Sequence, residues 1–272
     1  MSAASKTRRV RPGILCTVWH AWVSTWAAMR DMPLAFLLTA AASVLLAIVI
    51  AHLVAPPVVV PPGQEPPAIS YGTAILSLLR LLPVSFAYAL TLAPLAVAMH
   101  RFVVLGERQT LLPLRPLSRV VGYAAWVTLF NACISLPGLI VQTSTPAQTL
   151  VVCLTFVVMV ATVRLTLLFP QIAVRTAGEP LRTFWAITRW RFWNTATVLV
   201  LAMVPVLALQ FLIVLAVSGT ITAATMAAVS DLPLLSALNA PYVAMGAAAA
   251  SWLFVGYGLA PGTHEGVPVA PE

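Results

Sequence analysis

RLTLLFPQIAVRTAGEPLRTFWAITRWRFW, residues 164–193, is the stretch on which the reading of this chain turns. One apolar run ends within it at Pro170, and the next begins just after Trp193. The stretch holds five arginines, three tryptophans, two prolines and a single acidic residue, Glu179. Arginine seeks anionic headgroups and tryptophan settles at the edge of the hydrocarbon. A basic, aromatic segment between two apolar runs therefore reads as an elbow at a membrane surface.

The composition agrees. Of 272 residues, 61% are hydrophobic and only 8% are charged, and mean hydropathy is +0.97. A soluble domain carries roughly a quarter charged residues. Lipid must be the main solvent here, and in lipid the backbone has to satisfy its own hydrogen bonds. The apolar runs are long and unbroken rather than alternating, which selects helices over a barrel. The fold class expected is all-α, a polytopic bundle of six transmembrane helices with interfacial amphipathic helices.

Working outward, residues 1–33 form a basic start. Lys6, Arg8, Arg9 and Arg11 precede a periodic segment in which Ile14, Leu15, Val18, Trp19, Trp22, Trp26 and Met29 recur at three- and four-residue steps. That is an amphipathic helix, suited either to the interface or to packing on the bundle. Residues 34–260 carry the spans: about 34–54, 84–99, 120–141, 149–169, 195–217 and 240–259. The second is preceded by TAILSLLRLL (73–82), read as a short interfacial helix ended by Pro83. Gly246 and Ala250 form a small-xxx-small pair in the last span. Residues 261–272 read as a flexible tail. Cys133 and Cys153 fall in apolar runs and read as packing residues, and no cysteine spacing indicates a disulfide framework or a metal site.

Orientation follows from counting. Of 15 Lys and Arg, five precede residue 34, four lie between spans 2 and 3, and five lie between Arg164 and Arg191. That puts 14 on one side of a six-span model and only Arg80 on the other. The excess marks the cytoplasmic side and gives both termini to the cytoplasm. The net charge of +8 is thus spent on topology and anionic lipid, and no nucleic-acid partner is expected.

Within the elbow, Pro180 suits the first turn of a helix. On such a helix Trp185, Arg189 and Trp193 follow at i, i+4 and i+8, with Arg182 beside them and Arg191 near the end. Guanidinium stacking on indole contributes about 0.5–2 kcal/mol per contact. These five residues are the candidate lipid- or partner-contacting set, and a positive-inside anchor is the plain alternative. Arg164, Asn131 and Gln210 are candidate intramembrane polar contacts. Arg164 is close enough to its helix end to snorkel or to pair internally. The two amides suit interhelical hydrogen bonds. His100, Arg101, Glu107 and Arg108 read as a solvated helix cap.

HRFVVLGE (100–107) and RLTLLFPQIAV…G…RTFWAITRWRFW resemble a bacterial family of six-span inner-membrane proteins, related to the membrane domain found beside glycerophosphodiester phosphodiesterases. The likeness covers most of the chain in architecture and these two stretches in motif. Arg175 stands where an acidic residue is common in that family, and Trp190 where a glycine is common. The resemblance implies an inner-membrane protein of six helices and no particular activity.

No GxSxG, Walker A, HExxH or paired-carboxylate signature occurs, and no catalytic residue, metal or cofactor is expected. The leading expectation is a non-enzymatic membrane protein engaging anionic lipid, a protein partner or another copy of itself through an Arg/Trp surface. A permease or export component would instead need a cavity reaching Asn131 or Gln210. A lipid-modifying enzyme would need acidic or nucleophilic residues converging at one membrane face, with Glu107 and Glu179 the obvious candidates.

Overall fold

The computed structural model describes residues 13–53, 71–108, 117–141, 145–174, 181–189, 191–218 and 233–260. These residues form helices α1 (Ile14–Asp31), α2 (Pro33–Leu53), α3 (Tyr71–Leu105), α4 (Leu117–Val141), α5 (Thr145–Leu165), α6 (Leu168–Val174), α7 (Leu181–Arg189), α8 (Phe192–Ser218) and α9 (Asn239–Gly256). A 3₁₀ segment, Pro233–Leu238, leads into α9, and no strand occurs among the described residues. Among the described residues, six stretches are long and apolar enough to cross a membrane: Pro33–His52, Leu79–Leu105, Leu117–Ile134, Cys153–Val174, Phe192–Val217 and Leu235–Gly256. The chain is a multi-pass membrane protein.

The centre of the bundle is the second half of α3 against α9. Ala93, Leu95, Ala96 and Met99 are wholly buried, as are Ala244, Ala248 and Ala249. Small side chains on α9 let neighbouring backbones come close. At Gly246 an added Cβ would stand 2.7 Å from Met203 Cε on α8. The outer helices turn large apolar side chains outward instead, among them Leu37 and Leu45 of α2, Phe156 and Val157 of α5, and Leu212 and Val217 of α8. That inversion suits a hydrocarbon surround. Cys153 is among the outward residues of α5, so it is not the packing residue the sequence indicates; Cys133 is half-buried.

Three sequence readings are corrected. Pro83 does not end a helix: α3 runs through Pro83 and Pro94 for 35 residues, about 52 Å at 1.5 Å per residue. Proline is tolerated inside membrane helices, where neighbours re-satisfy the freed carbonyl. Nor does the fourth apolar run stop at Pro170. After a turn at Thr166–Leu167 the chain forms α6, which buries Leu168, Pro170, Gln171, Ala173 and Val174. Pro170 sits in the first turn of α6, where its missing N–H costs nothing. Finally, α1 is neither a purely interfacial helix nor a purely packed one. Val18, Ala21 and Ala28 join the core, while Leu15, Trp19 and Trp26 face outward. Trp22 Nε1 donates to the Ala202 carbonyl of α8 at 3.1 Å, and Trp252 Nε1 of α9 donates to Ser24 Oγ at 2.9 Å. His20 stacks on Trp252 at 4.8 Å.

Two glycines end helices at the same end of the bundle. Gly106 has φ of 68° and follows α3; Gly258 has φ of 75° and follows α9. After α9 the Gly258 amide donates to Val255 and the Leu259 amide to Phe254, the pairing that closes a helix C-terminus with a left-handed residue. The segments 1–12, 54–70 and 261–272, with the basic start and the tail, lie outside the described residues.

Candidate functional site

Arginines gather where α3, α4, α6, α7 and α8 have their neighbouring ends. The left-handed turn at Gly106 brings Glu107 back over α3, so that Arg101 Nε and Nη2 donate to its two carboxylate oxygens at 2.8 and 2.7 Å. Arg101 Nη1 also donates to the Ala173 carbonyl at 3.3 Å, and Arg119 Nη1 donates to the same oxygen at 3.2 Å. Two cations at the C-terminus of α6 complement its carbonyl dipoles. Arg108 pairs with Asp31 at 3.2 Å and ties the end of α1 to the end of α3. Glu107 is thus the partner of a guanidinium, not a carboxylate held ready for substrate. Glu179 lies outside the described residues.

The solvated-cap reading of His100 is overturned. His100 is wholly buried, with Nδ1 2.7 Å from Ser251 Oγ, itself wholly buried on α9. Tyr123 OH of α4 stands 3.4 Å from Nε2. A histidine and a serine do meet here, but with both side chains sealed from any substrate. The cluster is a polar tie among α3, α4 and α9. Ser251 lies 151 positions from His100, beyond the reach of local sequence pattern.

The Trp185–Arg189–Trp193 stripe is also broken. Helix α7 ends at Arg189, the Arg191 amide donates to Thr188 in a tight turn, and Trp193 lies in the first turn of α8. Trp185 instead receives Arg164 of α5, whose guanidinium carbon sits 4.4 Å from the ring centroid. Arg164 therefore has the internal pair that was one of its two readings. Arg189 is exposed, and Trp193 meets Phe192 edge-on at 5.1 Å. The side chain of Arg182 lies outside the described residues. Asn131 is exposed on α4, and Gln210 is half-buried on α8.

Arg191 has a different setting. Its guanidinium carbon lies 4.7 Å from the centroid of Tyr257, whose hydroxyl shares a 2.8 Å hydrogen bond with Thr195 Oγ1. The Arg191 carbonyl accepts the Thr195 amide, so Arg191 caps the start of α8. Beside it opens a cleft of about 680 Å³ between α1, α7, α8 and α9. Asn194, Thr17 and Gly13 supply polar lining, while Ile14, Ile187, Val198 and Leu253 supply apolar walls. Neither Asn131 nor Gln210 lines it. The sequence pattern marks out Arg191, whereas nothing in the local sequence marks Asn194 or Tyr257 as its neighbours at this cleft. Among the described residues no three His, Cys, Asp or Glu side chains gather to hold a metal ion.

Comparison with family models, with curated proteins and with solved structures finds no match to this chain.

Proposed function

We propose that this protein is a non-enzymatic component of a bacterial inner membrane that engages anionic lipid through its cytoplasmic Arg/Trp surface. The observation that carries the reading is the presence of outward indoles and arginines toward one end of the bundle. Trp19 is 62% exposed, Trp185 43% and Trp193 72%, and Arg189 is exposed one turn along α7 from Trp185. Indoles of this kind sit at the headgroup boundary, and arginines near them meet lipid phosphate, which a guanidinium can grip with two N–H donors. The family resemblance points to the same membrane. The arginine excess at this end makes it the cytoplasmic one.

The test is the lipid that copurifies. The triple variant Arg182→Gln, Arg189→Gln, Arg191→Gln, extracted in mild detergent alongside the unaltered protein, is expected to lose several-fold of its anionic lipid enrichment while remaining membrane-inserted. An unchanged lipid profile at equal insertion would leave the arginines as topology signals alone.

A further inference from the structure

We infer that the cleft beside Arg191 is a discrete site for one phosphodiester headgroup of an anionic membrane lipid. The inference deepens the surface reading above and rests on it. The argument begins with how the arginines of this end are engaged. Arg101 is ion-paired, Arg101 and Arg119 both donate to the Ala173 carbonyl, and Arg108 is ion-paired to Asp31. Arg164 lies against Trp185. Arg191 is half-buried and stacked on Tyr257, and among the described residues its guanidinium has no acid and no hydrogen-bond acceptor. Stacking occupies the face of the guanidinium and leaves its N–H groups pointing out along the edge. That is the arrangement in which an arginine grips a phosphate with two parallel bonds.

Charge and size then select the ligand. Arg191 is the only charged side chain among the described lining residues, so one negative charge balances the site. A phosphodiester carries one. Asn194 adds a polar side chain to the lining, as does Thr17, whose hydroxyl donates to the Gly13 carbonyl at 3.2 Å, and the start of α8 has amides with no acceptor in their own helix. The cleft volume of about 680 Å³ is more than ten times the roughly 30 Å³ share of one water, far more than a lone phosphate needs. Ile14, Ile187, Val198 and Leu253 make the remaining wall apolar, which suits a glycerol backbone and the first methylenes of a chain. Trp193, two residues from Arg191, is exposed, as a residue at the headgroup boundary would be.

The experiment uses the full-length protein in nanodiscs of phosphatidylcholine doped with phosphatidylglycerol, read by native mass spectrometry. The unaltered protein is expected to retain one phosphatidylglycerol in saturable fashion. Arg191→Gln should weaken retention on the order of tenfold, from the loss of a charge-assisted pair of bonds. Asn194→Asp should do the same by placing a negative charge in the cleft, without touching the Arg191–Tyr257 stack. Asn194 is exposed, so this variant answers the question even where Arg191→Gln folds poorly. Arg80→Gln, on the opposite end of α3, should retain the lipid fully. General enrichment of phosphatidylglycerol with no saturable molecule would overturn the site and leave the surface reading standing. Absence of any enrichment would overturn both. Displacement of the lipid by inorganic phosphate or glycerol 3-phosphate at comparable concentration would overturn the assignment to a membrane lipid.

Discussion

His100 and Ser251 sit 151 positions apart and share a 2.7 Å hydrogen bond between Nδ1 and Oγ, with neither residue exposed. The bond fastens α3 to α9 at the centre of the bundle. Removing one partner leaves a buried ring nitrogen without its bond, a penalty paid in full where water cannot reach. Ser251→Ala is expected to lower stability by about 1 kcal/mol, in line with polar contacts between membrane helices. Thermal unfolding in detergent reads this directly. His100→Leu combined with Ser251→Ala should cost less than the two single changes added together. Strict additivity would mean the two side chains do not act as a pair.

Gly246 makes a second contact between helices testable in sign as well as size. The atom facing it, Met203 Cε, is the far end of a flexible side chain, 2.7 Å from where a Cβ would stand. Gly246→Ala is therefore expected to be absorbed by a small swing of Met203, aided by the higher helix propensity of alanine. Gly246→Leu has no such escape and should cost about 1–3 kcal/mol by prising α8 from α9. Met203→Ala should recover part of that loss. Equal stability of Gly246→Leu and the unaltered protein would show that the helices are not held at this distance.

What could be read in the sequence and what could not divides along one physical line. The six spans were legible because a bilayer demands about 20 consecutive apolar residues, whatever their neighbours. The gathering of arginines at one end was legible because alternate loops carry the charge. Partners were not legible. Trp185 meets Arg164 across from α5 rather than Arg189 on its own helix, because the chain turns at Arg191 and separates the stripe. Local periodicity assumes an unbroken helix, and nothing in TRWRFW announces the break. Pro83 misled in the other direction, since its usual effect in water is overridden inside a bundle. Tyr257 carries no local signal at all; as the residue that closes α9 it is brought beside Arg191 where the end of α9 meets the start of α8 through the Thr195 hydroxyl.

Gly106 isolates a purely conformational cost. Its φ is 68°, and a Cβ there would meet nothing within 4 Å. Gly106→Ala should therefore destabilise by about 1–2 kcal/mol through the left-handed backbone alone. Asn tolerates this conformation better, so Gly106→Asn is expected to lose less. A further consequence is specific to this turn, which delivers Glu107 to Arg101 at 2.7 and 2.8 Å. If Gly106→Ala displaces Glu107, a subsequent Glu107→Gln change should cost less than it does in the unaltered chain. A ranking with alanine equal to glycine would remove the turn from the account.

Orientation is the last prediction, and the contacts sharpen what counting alone supplies. Arg101 and Arg119 reach the same carbonyl, Ala173, so the ends of α3, α4 and α6 share one side of the bundle. Arg108 reaches Asp31, which adds the end of α1 and the start of α2. The cleft joins the start of α8 to the end of α9 and to Gly13. Arg80 sits 21 residues before Arg101 on the same helix, about 31 Å away along its axis and so at the opposite side. The sides are thus set by contact, and the Lys/Arg excess predicts that the crowded one is cytoplasmic. Alkaline phosphatase fused after residue 115 or 182 should be inactive, and fused after residue 60 it should be active. Activity after residue 115 or 182, with fusion levels matched by immunoblot, would invert the topology and with it the leaflet in which the Arg191 cleft meets lipid.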